Sequence, residues 1–207
     1  MKRPVLWIVT LLLFFALGVL ARPLLTPTPA VAAPSQQGLM PVEFYVLMNQ
    51  SGPLWLARIN LMDVYLGGID LSGANLYEAN LLRTNLTRAK LENAQIQRAM
   101  MNSVVLRNAN LTGADLTSAN LAAANMREAN LAKAILVNIS FSGADLRNAD
   151  LTGADLSGSN LQGADLRGAN LLDANLTNTI LEQTSYDLAT VWPEGFDVTK
   201  TNAKLVE

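Results

Sequence analysis

The sequence predicts an all-β solenoid whose chain turns a corner every five residues. Three observations carry that prediction. A large apolar residue recurs at a period of five from Leu61 to Leu181 without a register break, and it is leucine in 21 of the 25 units. The residue two before this centre (i−2) is alanine in 17 of the 25. The residue one before it (i−1) is asparagine or aspartate in 17, so GADL, GANL and EANL recur almost verbatim. Five residues advance an α-helix by about 500°, which scatters the leucines around the axis. In an unbroken strand an odd period throws alternate leucines to opposite faces. One short extended piece and one tight turn per unit resolve both conflicts, and every leucine then points inward. The alanine at i−2 shares that side, and its small size leaves room for the neighbouring leucines.

Composition removes whole classes of chemistry. The 207 residues contain no cysteine and no histidine. Disulfides, thiolate metal sites and Ser–His or Cys–His nucleophilic sets are therefore excluded. The commonest general base and transition-metal ligand is missing as well. GIDLSGANL is a repeat corner and not a phosphate-binding G-x-G-x-x-G loop, so no cofactor, metal or catalytic residue is expected. The chain carries 15 basic and 17 acidic residues. Lys2, Arg3 and Arg22 all lie in the first 32 residues, which leaves 12 basic against 17 acidic for the remainder, a net −5. That balance argues against nucleic acid as a partner.

Residues 1–32 read as a signal peptide or a membrane anchor. Lys2 and Arg3 precede an apolar run from Val5 to Ala21, and Ala30-Val31-Ala32 has the small-x-small pattern of a cleavage site after Ala32. The run sits at the lower edge of what spans a bilayer, and if it is not cleaved, the basic start holds its N-terminus in the cytoplasm. Both versions carry the body across a membrane. No cysteine follows the run, so a lipoprotein anchor is excluded.

Residues 33–55 are expected to form a linker and an N-terminal cap helix. PVEFYVLMN, Pro41 to Asn49, is amphipathic, and Ser51-Gly52-Pro53 stops it. Residues 56–183 are the repeat itself, and its first consensus units carry Ile59, Val64 and Ile69 where alanine is usual.

The A-(D/N)-L-x-x pattern, spread over more than half of the chain, resembles the pentapeptide-repeat proteins. The resemblance implies a right-handed quadrilateral β-helix with four units per coil and a helix plugging its N-terminal end. At about 4.8 Å per coil, some six coils make a rod of about 30 Å. Residues 184–207 are expected to be a C-terminal cap and tail. TSYDLATVWPEGFD resembles a terminator found in cyanobacterial members, with Tyr186, Trp192 and Phe196 covering the last coil.

If residues 20 apart stack, one outward column stands out: Arg107, Arg127, Arg147 and Arg167, all at i+1. The column beside it, at i−1, reads Val105, Asn125, Asp145 and Asp165. Positions i−1 and i+1 point the same way, so Asp145 is expected to pair with Arg147 and Asp165 with Arg167. The column of four is the candidate anion-binding or partner face, with an acidic partner surface or lipid headgroup expected to dock near Arg107 and Arg127, where no carboxylate sits at i−1. Met100, Val105 and Ile135 are outward apolar residues and a candidate contact patch.

Taken together, the leader and the resemblance imply a non-catalytic structural or protein-interaction module exported to the periplasm or thylakoid lumen. Its expected partner is another protein or an envelope or thylakoid membrane component, with no small-molecule substrate; the reading also admits a homodimer. The alternative is a DNA-mimicking inhibitor of a type II topoisomerase, as some members of the family are. The leader and the modest acidity count against it.

Overall fold

The computed structural model describes residues 54–206; the leader and the helix expected at Pro41–Asn49 lie outside the described residues. The described residues belong to a single compact unit.

Parallel bridges link each i−1 residue to the one 20 positions on, from Trp55 with Asn75 through Asp165 with Ser185. Four five-residue units therefore close one coil, and the coils stack in register as a β-solenoid. The unit around Leu76 shows how the backbone is satisfied. Ala74 N–H donates to Leu71 O at 3.0 Å and closes the corner. Asn75 N–H donates to Leu54 O in the preceding coil, while Leu76 and Glu78 N–H donate to Gln95 O and Gln97 O in the next. The fifth amide, of Tyr77, donates to the side-chain Oδ1 of Asn75 at 3.0 Å. All five donors of the unit are thus paired, as buried or half-buried backbone demands. The preference for asparagine or aspartate at i−1 follows, because a short side chain ending in an acceptor reaches the amide two residues on.

The corners have a second requirement. Every i+2 residue from Arg58 to Gln183 has φ between 54° and 71°. A four-residue turn with φ above zero at its third position closes the unit. Eight of these corners carry glycine and eighteen carry other residues, which adopt the left-handed conformation despite its steric cost.

Inside, the centre residues from Leu71 to Leu171 are no more than 1% exposed, Phe141 among them. Burial of each leucine contributes about 1.5–3 kcal/mol, largely offset by the ordering of its unit. Hydroxyls replace alanine at a few i−2 positions and find an acceptor in the coil before. Thr84 donates to Leu61 O at 2.7 Å, Thr179 to Leu156 O at 2.9 Å and Thr184 to Leu161 O at 2.8 Å.

The ladder reaches beyond the consensus run at both ends. It includes the unit of Leu54, Trp55 and Leu56, whose outward Trp55 is 80% exposed. After Leu181 the coil continues through buried Thr184 and then gains one residue, so that Asn170 bridges Val191 instead of residue 190. Strand β1, Ser185–Tyr186, pairs in parallel with β2, Lys204–Leu205. Between them a 3₁₀ turn, Val198–Lys200, is capped by the Asp197 side chain. Trp192 stacks on Phe196 at 5.3 Å and meets Tyr186 edge-on at 5.6 Å, and both Trp192 and Phe196 pack against the core.

Candidate functional site

The four arginines do stand in one column. Asn108 N–H donates to Arg127 O, Glu128 N–H to Arg147 O and Asn148 N–H to Arg167 O, each at 3.0 Å, so successive i+1 residues lie on successive coils. Beside them the bridges Val105–Asn125, Asn125–Asp145 and Asp145–Asp165 stack the i−1 column.

The C-terminal half of the column is neutralised internally. Arg147 grips Asp145 through Nε and Nη2 at 2.8 and 2.6 Å. Arg167 grips Asp165 in the same way, at 2.9 and 2.7 Å. Asp165 also reaches back to Arg147 Nε at 3.5 Å, which links the two coils. The hydrogen bond from Arg147 holds the Asp145 carboxyl below its ordinary range, against an opposing effect of burial. For Asp165 burial is the largest single influence and pushes upward. The hydrogen bonds and charge of Arg167, with the charge of Arg147, together outweigh it and bring the net shift down. Arg147 is correspondingly raised, chiefly by its hydrogen bonds to Asp145.

The N-terminal half is different. Among the described residues, no carboxylate lies within 4.0 Å of the charged nitrogens of Arg107 or Arg127. Glu128, next in sequence to Arg127, is exposed and makes no ion pair with it. The Nε of Arg127 is buried and has no hydrogen-bond partner among the described residues. Arg88, whose N–H bonds Arg107 O at 2.9 Å, adds another positive charge at the adjoining corner.

The expected apolar patch is not one surface. Met100 bridges Asn80 and Asn120, Val105 bridges Asn85 and Asn125, and Ile135 bridges Asp115 and Asp155. These are three different columns on three different faces, because the spacings between the residues are not multiples of 20. Met100 and Ile135 are exposed, each between polar neighbours in its column, and Val105 is half-buried beside Arg107. Among the described residues no group of three or more carboxylates is placed to hold a metal ion, and no helix is long and apolar enough to cross a membrane.

The model of a known repeat family, described as pentapeptide repeats (8 copies), matches residues 59–95, 69–108, 89–127, 124–163 and 144–183. The chain is similar to HetL, a pentapeptide repeat protein involved in heterocyst differentiation regulation from the cyanobacterium Nostoc sp. strain PCC 7120. That likeness covers 77% of this chain and 88% of HetL at 24% identity, with a TM-score of 0.58, and is a likeness of fold. A second pentapeptide repeat protein from Nostoc PCC 7120 is 38% identical over 54% of this chain and 84% of its own, with a TM-score of 0.32. One from the Arabidopsis thaliana thylakoid lumen is 24% identical over 58% and 66%, with a TM-score of 0.23. No curated protein matches. The family match and the likeness to HetL imply that the four-cornered coil is a right-handed quadrilateral β-helix.

Proposed function

Since the chain belongs to the pentapeptide-repeat family, whose members are in general structural or interaction modules, we propose that it is a non-catalytic protein-interaction module with the column Arg107, Arg127, Arg147 and Arg167 as its recognition surface. One observation carries the reading: among the described residues, Arg147 and Arg167 are salt-bridged to aspartates of their own units, whereas Arg107 and Arg127 make no salt bridge, although the charge of Arg127 reaches Asp145 on the next coil. An arginine row on a rigid scaffold binds without moving parts, and its planar donors suit bidentate recognition. The basic start and apolar run of residues 1–32 support delivery across a membrane, to periplasm or thylakoid lumen, as a cleaved signal peptide or a retained anchor. The mildly acidic body, with its basic column, suits a protein or membrane-component partner better than DNA mimicry, which needs a strongly acidic surface.

The test is a cross-linked pull-down of the tagged protein from its own membranes and exported fraction. A variant with Arg107, Arg127, Arg147 and Arg167 all changed to serine runs beside it. A partner captured by the native protein and lost in the variant is expected. The same partner retained by a folded variant removes the arginine column as the recognition surface.

A further inference from the structure

Two coils of the column already display what a guanidinium at this position takes. Arg147 and Arg167 each close a two-point fork on a carboxylate supplied from i−1 of the same unit, Asp145 and Asp165. One and two coils earlier the same slots hold Asn125 and Val105, which carry no charge. The backbone around them is unchanged, since the bridges run on without a shift from Val105 to Asp165. The backbone therefore carries these arginines in the same register, and the carboxylate of their own unit is missing. The Nε of Arg127, covered by the protein itself, has no hydrogen-bond partner among the described residues.

We infer that Arg107 and Arg127 form a receptor for two carboxylates of an acidic protein segment, which pair with the two guanidinium groups as Asp145 and Asp165 pair with their neighbours. This rests on the arginine column being the recognition surface. The two guanidinium groups arise about 4.8 Å apart on adjacent coils. Acidic side chains at alternate positions of an extended segment are about 6.5–7 Å apart, a difference that two arginine side chains absorb. A carboxylate matches the planar fork in two-point geometry. Val105, half-buried beside Arg107, gives such a segment an apolar edge to lie against. An anionic membrane is a poorer fit, because the net −5 outside the leader opposes approach to an extended negative surface.

The inference is tested by supplying the missing carboxylates from within. A fluorescent tetra-aspartate peptide is titrated by anisotropy into the full chain as native protein, as V105D/N125D, as N125D alone, and as the four-arginine-to-serine variant. Native protein is expected to bind with an affinity that falls as salt rises. V105D/N125D keeps every arginine, yet its binding is expected to weaken at least about tenfold as the new aspartates occupy the forks. N125D, which preserves side-chain size and the Oδ1 that accepts from Arg127 N–H, gives a partial loss and stands in if the double variant does not fold. Circular dichroism during a thermal melt verifies folding. Undiminished binding by folded V105D/N125D, with loss in the serine variant, overturns the carboxylate-slot inference and leaves the arginine surface standing. Undiminished binding in the serine variant overturns both. Binding to phosphatidylglycerol vesicles or inorganic phosphate, but not to the peptide, overturns the choice of an acidic protein segment.

Discussion

The amide of Ile139 donates to the hydroxyl of Ser159, one coil further on, at 3.2 Å. Elsewhere in the repeat the equivalent amide closes its corner onto the carbonyl of the preceding centre, as Val64 does with Leu61. Here the Ser159 hydroxyl stands between the two groups, accepting from Ile139 and donating to Leu136 O. A buried side chain of one coil thus replaces a backbone bond in another. Serine to alanine at 159 restores the commonest residue of the repeat, but leaves a buried donor and acceptor facing each other without the bridge. The variant is expected to lose about 1–2 kcal/mol in urea unfolding; an unchanged or higher midpoint would mean that the corner recloses by itself.

Acid is the second lever. Asp63, Asp70, Glu78, Asp115, Asp145, Asp165, Asp187 and Asp197 all have carboxyl groups held below their ordinary values. A depressed folded pKa stabilises the fold above the unfolded value of about 3.9 and loses that contribution as pH falls through the folded value. Stability is therefore expected to be level near neutrality, to begin falling below about pH 5, and to keep falling under pH 4. The double variant Asp145→Asn, Asp165→Asn should be less stable than native protein at pH 7 and show a shallower fall between pH 5 and 3. Parallel urea-midpoint curves for the two proteins would remove these ion pairs from the account.

Phe141 is the bulkiest centre and is fully buried among leucines of the same column, Leu121 and Leu161. Phe141→Ala should cost about 3–5 kcal/mol through lost burial and the cavity left behind. Phe141→Leu, which returns the common centre, should cost less than about 1.5 kcal/mol. Denaturant unfolding of the two variants checks the order, and equal losses would mean that this coil has been built around the ring.

Ala123 occupies an exposed corner at φ 56°, whereas Gly153 fills the equivalent role at φ 65°. A left-handed residue with a Cβ carries about 1–2 kcal/mol of strain, partly offset because glycine has more freedom to lose on folding. Ala123→Gly is expected to be neutral or stabilising by up to about 1 kcal/mol. Ala123→Val, branched at Cβ, should be destabilising by more than 1 kcal/mol, roughly. Thermal melts of the pair suffice, and a loss in the glycine variant would argue that the corner does not strain alanine.

The inward faces and the Asp145–Arg147 and Asp165–Arg167 pairs were legible because they depend on one period and on which side of an extended piece a residue occupies. Other features obey different rules. The left-handed corners are masked by residues other than glycine at 18 of the 26 i+2 positions; the signal was the glycines at 68, 73, 113, 143, 153, 158, 163 and 168, all at the same place in the unit. The unit of Leu56 lacks both the alanine and the asparagine, so only its apolar centre and bridge reveal it. The single residue gained before Val191 breaks the count while the coil itself continues. Met100, Val105 and Ile135 looked like a group because they are close in the chain, but proximity on a coil is counted in twenties.

The same arithmetic governs how such a chain can grow. Duplicating or deleting a block of 20 residues inserts or removes a whole storey and returns every downstream side chain to its own wall. A block of five preserves the core pattern just as well, yet rotates all that follows by a quarter turn. Placed between Arg127 and Arg147, it would carry the paired arginines onto a wall the unpaired ones do not share. The hydrophobic interior tolerates either change, whereas the arginine wall tolerates only the first. Gene duplication can therefore change the height of this protein freely, but it keeps the arginine wall aligned only when it works in whole storeys.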